Sequence, residues 1–223
     1  MTLCRIVAIG DSITESVIGE IPARQRWTTL VELGLAALFP DTTFEVINAG
    51  IGGQTTREGL RRFADAVIAR QPAFCCIEFG GNDATPEPER AVTLSETAAN
   101  LSAMLDACGE NDIRPVLLTF PPVIDVWHAW RDHPKYAAAG GLDRHIEPVR
   151  ERTRHLAQAY DCPLADIDLA LRDAMRIHGA GSQILRDGVH LTIGGNRTVA
   201  TSVLSTLAGI IEPHAESAPD TAK

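Results

Sequence analysis

The chain has 223 residues, 45% of them hydrophobic, with 20 Lys and Arg against 29 Asp and Glu for a formal net charge of -9. That length buries one sizeable core, so a single domain over residues 1–214 is expected, followed by a polar tail, 215–223, expected to be disordered. The acidic balance, with no Lys/Arg cluster longer than Arg61-Arg62, argues against nucleic acid or an anionic membrane surface as a partner.

Five cysteines (Cys4, Cys75, Cys76, Cys108, Cys162) are odd in number, lack CxxC spacing and mostly sit in apolar runs, which fits a reducing compartment. The N-terminus enters a strand-like run at once, without the charged and long apolar regions of a secretory leader. No apolar stretch approaches the ~20 residues needed to span a bilayer. A soluble cytoplasmic protein is expected; its oligomeric state is not legible.

In chain order, strand-length apolar runs occur at Ile6–Ile9, Phe44–Ile47, Phe74–Phe79, Val116–Phe120 and, more weakly, Pro163–Ile167. Helical stripes lie between them: Trp27, Leu30, Val31, Leu35 and Leu38; Leu94, Ala98, Leu101, Leu105 and Cys108; Ile146, Val149, Leu156 and Tyr160; Val199, Val203, Leu207 and Ile210. Thr55 with Glu58 and Thr93 with Glu96 have capping-box spacing at two helix starts. Strands alternating with helices predict an α/β fold, a three-layer sandwich with a parallel sheet. The connection from Pro121 to about Gly141 is longer than ordinary loops and holds Trp127, Trp130 and Tyr136. Its aromatics either cover apolar surface or form the lid or wall of a substrate pocket.

Four segments carry candidate chemistry. Gly10-Asp11-Ser12-Ile13 follows the first strand, where a serine would stand at the carboxyl edge of the sheet; a helix cap is the other reading. Asn48-Ala49-Gly50-Ile51-Gly52-Gly53 leaves the second strand as a tight turn or an anion site, without completing G-x-G-x-x-G. Gly80-Gly81-Asn82-Asp83 follows the third and offers a neutral amide donor suited to an oxyanion, or simply a turn. Asp187-Gly188-Val189-His190 sets a carboxylate within one turn of an imidazole, the pairing that frees one ring nitrogen to accept a proton. A metal site is disfavoured there because no second close ligand cluster accompanies it.

These four blocks, in this order and at these strand ends, resemble the SGNH hydrolases, or GDSL-type esterases and lipases, over nearly the whole chain to about Ile211. The resemblance implies a flavodoxin-like sheet of about five parallel strands and hydrolysis of small carboxylic esters, short acyl or acetyl esters with those of carbohydrates among them, through an acyl-enzyme and without a cofactor or metal. It implies Ser12 as nucleophile, His190 as base and acid, and Asp187 as the residue that orients it. The oxyanion hole would comprise the N–H groups of Ser12 and Gly53 and the amide of Asn82. Gly53 is chosen over the adjacent Gly52 by alignment with the family's small-residue-then-glycine pattern. Ile13 stands where the family has Leu. Substrate contacts from Trp127, Trp130 and Tyr136 are a further expectation. Thioesterase or lysophospholipase-type acyl hydrolysis, and a non-catalytic binding module on the same fold, are the alternatives.

Overall fold

The computed structural model describes residues 2–211; the tail expected over 215–223 lies outside them. Strands β1 (Thr2–Gly10), β2 (Thr42–Gly50), β3 (Phe74–Glu78), β4 (Arg114–Leu118) and β5 (Leu164–Ala165) form one sheet in the order β2-β1-β3-β4-β5. All pairings are parallel, with Ile6 beside Val46 of β2 and Phe74 of β3. This is the flavodoxin-like order, and its direction of winding reverses between β1 and β3.

The helices are α1 (Ser12–Glu15), α2 (Trp27–Leu38), α3 (Thr56–Arg61), α4 (Phe63–Ala66), α5 (Leu94–Glu110), α6 (Pro134–Ala137), α7 (Leu142–Ala159), α8 (Ile167–His178) and α9 (Ile193–Ala208). They cover both faces of the sheet because the strands alternate apolar residues in both directions. Ile6, Ala8, Phe74, Cys76, Val116 and Leu118 pack in one cluster with Trp27, Val31 and Leu35 of α2 and Val199, Val203 and Leu207 of α9. Their neighbours Val7, Ile9, Cys75, Ile77 and Leu117 pack in a second cluster with Phe63, Leu101, Met104 and Leu105. Burial on both sides is why these strands read as continuous apolar runs.

At α3 both halves of the Thr55–Glu58 capping box form. At α5 only one does: Thr93 accepts from the Glu96 N–H, but the Glu96 carboxylate turns to Arg57 at 2.5 and 2.8 Å. A charge-assisted bidentate pair outcompetes a single neutral N–H.

Candidate active site

The chain leaves β1 at Gly10 and turns at Asp11, whose buried carboxylate caps α1 by accepting the Ile13 N–H at 2.9 Å. The cap and the candidate nucleophile are thus adjacent residues rather than rival readings of one. Ser12 Oγ lies 2.9 Å from His190 Nε2, and His190 Nδ1 lies 2.8 Å from Asp187 Oδ2. The second Asp187 oxygen accepts the N–H groups of Val189 and His190, both at 3.0 Å. Partial burial pushes the Asp187 carboxyl up, yet these two N–H groups and the His190 ring outweigh it and hold the group below the usual carboxylate range. An ionised Asp187 keeps the proton on Nδ1 and leaves Nε2 to accept from the Ser12 hydroxyl.

The turn that carries this pair is closed by an antiparallel bridge between Ile184 and Leu191. Gly188 adopts φ +85°, and a Cβ there would stand 2.7 Å from the Ile124 carbonyl and 2.9 Å from the His128 nitrogen. Its own carbonyl accepts the Ile124 N–H at 2.8 Å. The long loop is therefore docked backbone to backbone on the Asp187–His190 turn, and only glycine gives both the left-handed conformation and the clearance.

Three N–H sources are the candidates for an oxyanion site at Ser12. Its own amide opens α1 and so has no acceptor within the helix. The Gly52 N–H is used by the Glu15 carboxylate at 2.9 Å, whereas the Gly53 N–H, in a turn with φ +77°, has no acceptor among the described residues. That asymmetry favours Gly53 of the two adjacent glycines as a donor. The Asn82 amide spends its hydrogens on Asp11 Oδ2 at 3.0 Å and the Gln54 carbonyl at 3.2 Å. Asp83, beside it, is buried and binds Thr56 and Thr97, tying α3 to α5. Asn48 donates to the Thr14 carbonyl at 2.7 Å and so secures the end of β2 to α1.

Ser12 and His190 open onto a pocket of about 200 Å3 walled by Phe120, Val123, Trp130, Leu142, Ile146 and Val189. Fully buried Arg150 fixes this wall by donating to the carbonyls of Phe120 at 3.0 Å and Pro121 at 2.7 Å. Of the three aromatics singled out in the loop, Trp130 lines the pocket. Trp127 does not: its ring lies under the Arg186 guanidinium at 4.2 Å. Tyr136 is fully buried, stacks against Trp130 with ring centroids 6.1 Å apart, and donates to the Ala84 carbonyl at 2.7 Å. The loop is thus a pocket wall at Trp130 and a cover over apolar core at Tyr136. Sequence reading missed His128, which lines the pocket; its Nδ1 accepts the Trp130 N–H at 3.1 Å. Burial lowers its pKa from the ordinary histidine value, against the opposing pull of Asp187 and Asp125. A larger cavity, about 580 Å3, is lined by Ala84, Val92, Lys135, Arg144 and Val149 among others and does not touch Ser12.

The profile of the GDSL-like lipase/acylhydrolase family matches residues 8–198, a span that contains all four blocks. The chain belongs to that family. Membership makes it an ester hydrolase by class. It is 29% identical over 173 residues to the Bacillus subtilis lipoprotein YqeF, covering 72% of this chain and 69% of that protein. It is also 29% identical over 113 residues to esterase TesA of Pseudomonas aeruginosa, a match spanning 51% of this chain and 52% of that enzyme. A solved lipase/acylhydrolase from Enterococcus faecalis superposes with a TM-score of 0.75 at 25% identity, over 95% of this chain and 99% of the other. No helix among the described residues is long and apolar enough to cross a membrane.

Proposed function

We propose that this GDSL-family chain is a serine esterase for small carboxylic esters with short acyl groups, using Ser12, His190 and Asp187 as its triad. The observation that carries the reading is the unbroken hydroxyl–imidazole–carboxylate chain, 2.9 and 2.8 Å, at the mouth of an apolar pocket. His190 takes the Ser12 proton as Oγ attacks the ester carbonyl; the tetrahedral oxyanion collects N–H groups from Ser12, Gly53 and Asn82. Collapse expels the alcohol, which takes the proton from His190, and water then repeats the cycle on the acyl-enzyme. Asn82 has to release the Gln54 carbonyl to serve the oxyanion. That exchange costs little at 3.2 Å, because a charged acceptor binds about twice as strongly as a neutral one.

The acyl preference follows from space. A pocket of about 200 Å3 lies below the ~300 Å3 where sites for drug-sized ligands begin. Five unpaired thiols suit work in a reducing compartment. The test is hydrolysis of p-nitrophenyl esters of increasing acyl length by wild type and Ser12→Ala, with fluorophosphonate labelling alongside. Turnover that peaks at short chains and vanishes with labelling in Ser12→Ala is expected; full activity in Ser12→Ala would overturn the mechanism.

A further inference from the structure

Behind the candidate oxyanion site lie two carboxyls that the triad does not use. Glu78 ends β3 opposite Gly10, the residue before Asp11, and both carboxyls are buried, 1% and 0% exposed. Their donors are unequal. Asp11 accepts from the Ile13 N–H at 2.9 Å and the Asn82 amide at 3.0 Å. Glu78 accepts on Oε2 from the Thr14 hydroxyl at 3.0 Å, and its Oε1 has no donor among the described residues. Two neighbouring buried carboxylates cannot both be ionised, and the proton belongs on the one with fewer donors. A protonated Oε1 stops being an orphan acceptor and becomes a donor available to neighbouring Asp11.

We propose that Glu78 is a neutral hydrogen-bond donor to the Asp11 carboxylate, and that this bond positions the Asn82 amide at the oxyanion site. The inference rests on the oxyanion role given to Asn82 above; Glu78 touches no substrate and is a positioning residue. Burial and the neighbouring Asp11 charge push the Glu78 carboxyl well up, as the neutral assignment requires. Burial raises Asp11 as well, against the Ile13 N–H and its other donors, with the nearby Asp83 charge adding to the rise. The other ionisable groups around the pair are Arg62, which donates to the Gly10 carbonyl, Glu15 at the end of α1, and His190 across Ser12. None of them is a hydrogen-bond partner of Glu78. Without the Glu78 proton, Asp11 would be one of two adjoining anions, and the Asn82 amide would be drawn deeper onto it.

Glu78→Gln keeps an acceptor for Thr14 and a donor for Asp11, whereas Glu78→Leu keeps the bulk and neither bond. The expected result is a kcat within about 2-fold of wild type for Gln. For Leu the expected result is a kcat about 10-fold lower or worse with KM little changed, part of the ~10²–10³ lost when an oxyanion donor is removed. Wild-type kcat in a folded Leu variant, or equal damage by Gln and Leu, would overturn the proposal. A second readout needs no turnover and so separates this idea from the esterase reading. The folded protein holds the proton above the unfolded value of 4.5, so wild type should lose thermal stability relative to Glu78→Gln as pH rises past that value. Carboxyl carbon NMR, assigned with the Gln variant, should show Glu78 still protonated at neutral pH. Titration in the ordinary carboxylate range, or a Gln-minus-wild-type difference flat with pH, would sink the proposal even if Leu fails to fold.

Discussion

Substituting Asn196 by alanine probes what holds the two ends of the proposed triad in register. Asn196 is fully buried in the first turn of α9, just after His190 in the chain. Its Oδ1 accepts the Ser16 hydroxyl at 2.7 Å and the Trp27 N–H at 2.9 Å, and its Nδ2 donates to the Thr192 carbonyl at 3.0 Å. Arg26, at the N-cap of α2, supplies no side-chain acceptor, so the Trp27 N–H has no substitute partner. Alanine leaves that buried N–H unsatisfied at about 1–3 kcal/mol, and the lost Ser16 bond adds about 1 kcal/mol. The expected loss of about 2–4 kcal/mol is a large share of the ~5–15 kcal/mol of an ordinary domain, and lowers Tm by roughly 4–16 °C. Because α1 is then free to shift against the His190 turn, kcat should fall towards the ~10²-fold that a 1 Å misplacement costs. Urea denaturation and steady-state hydrolysis on the same preparation measure both. A loss under about 1 kcal/mol would refute the stability arithmetic. Lost stability with untouched kcat would refute the register argument, and Ser16→Ala, missing one bond, should fall between wild type and Asn196→Ala.

Asn82→Ala should lower kcat by roughly 10²–10³ with Ser12 still labelled by a fluorophosphonate; a change under 10-fold would remove Asn82 from the oxyanion hole. Gly188→Ala should unseat the loop from the His190 turn, since its Cβ meets the Ile124 carbonyl at 2.7 Å. Faster amide exchange at Ile124 and a raised KM are the expected readouts, and unchanged exchange would count against backbone docking. For Asp187 the folded protein holds the carboxyl below its ordinary value of 3.8, so its contribution to stability is present above that pH and is lost as pH falls through the lower folded value. The stability gap between wild type and Asp187→Asn should therefore close as the solution is acidified below 3.8, and a gap that widened there would contradict the carboxylate's donors.

The fold was legible wherever one element's own residues report its surroundings. β1, β3 and β4 are buried on both faces, and their apolar runs mark them to within a few residues. β2 extends beyond its apolar run, Phe44–Ile47, to Thr42–Gly50, because an edge strand pairs along its whole length with β1 while alternate side chains meet solvent. α8 does carry a stripe, Ile167, Leu171 and Met175, which packs on the core, but exposed Leu169 and Ile177 off that face blur it, and it was not picked out from the sequence. α7 begins at Leu142, a turn before its stripe at Ile146, with Pro148 inside it. The four candidate blocks stand out in the sequence because most are short turns at strand ends, where local residues set the backbone. Trp127, Trp130 and Tyr136 look alike in the chain, and only their neighbours, Arg186, the pocket and Ala84, tell them apart.

Supporting residues escape such a reading for a different reason: a bond between Ser16 and Asn196, or between Thr14 and Glu78, has no period and no spacing. Even so, Glu78 carries a signal. Every residue of β3 is buried, so a glutamate in that strand faces a desolvation cost of several kcal/mol if it stays ionised. A chain that merely needed to end the strand would do so more stably with Gln or Val. A carboxyl kept at such a position therefore points to a neighbour that needs its proton. Here the neighbour is Asp11, which caps the helix of Ser12 and holds the amide of Asn82.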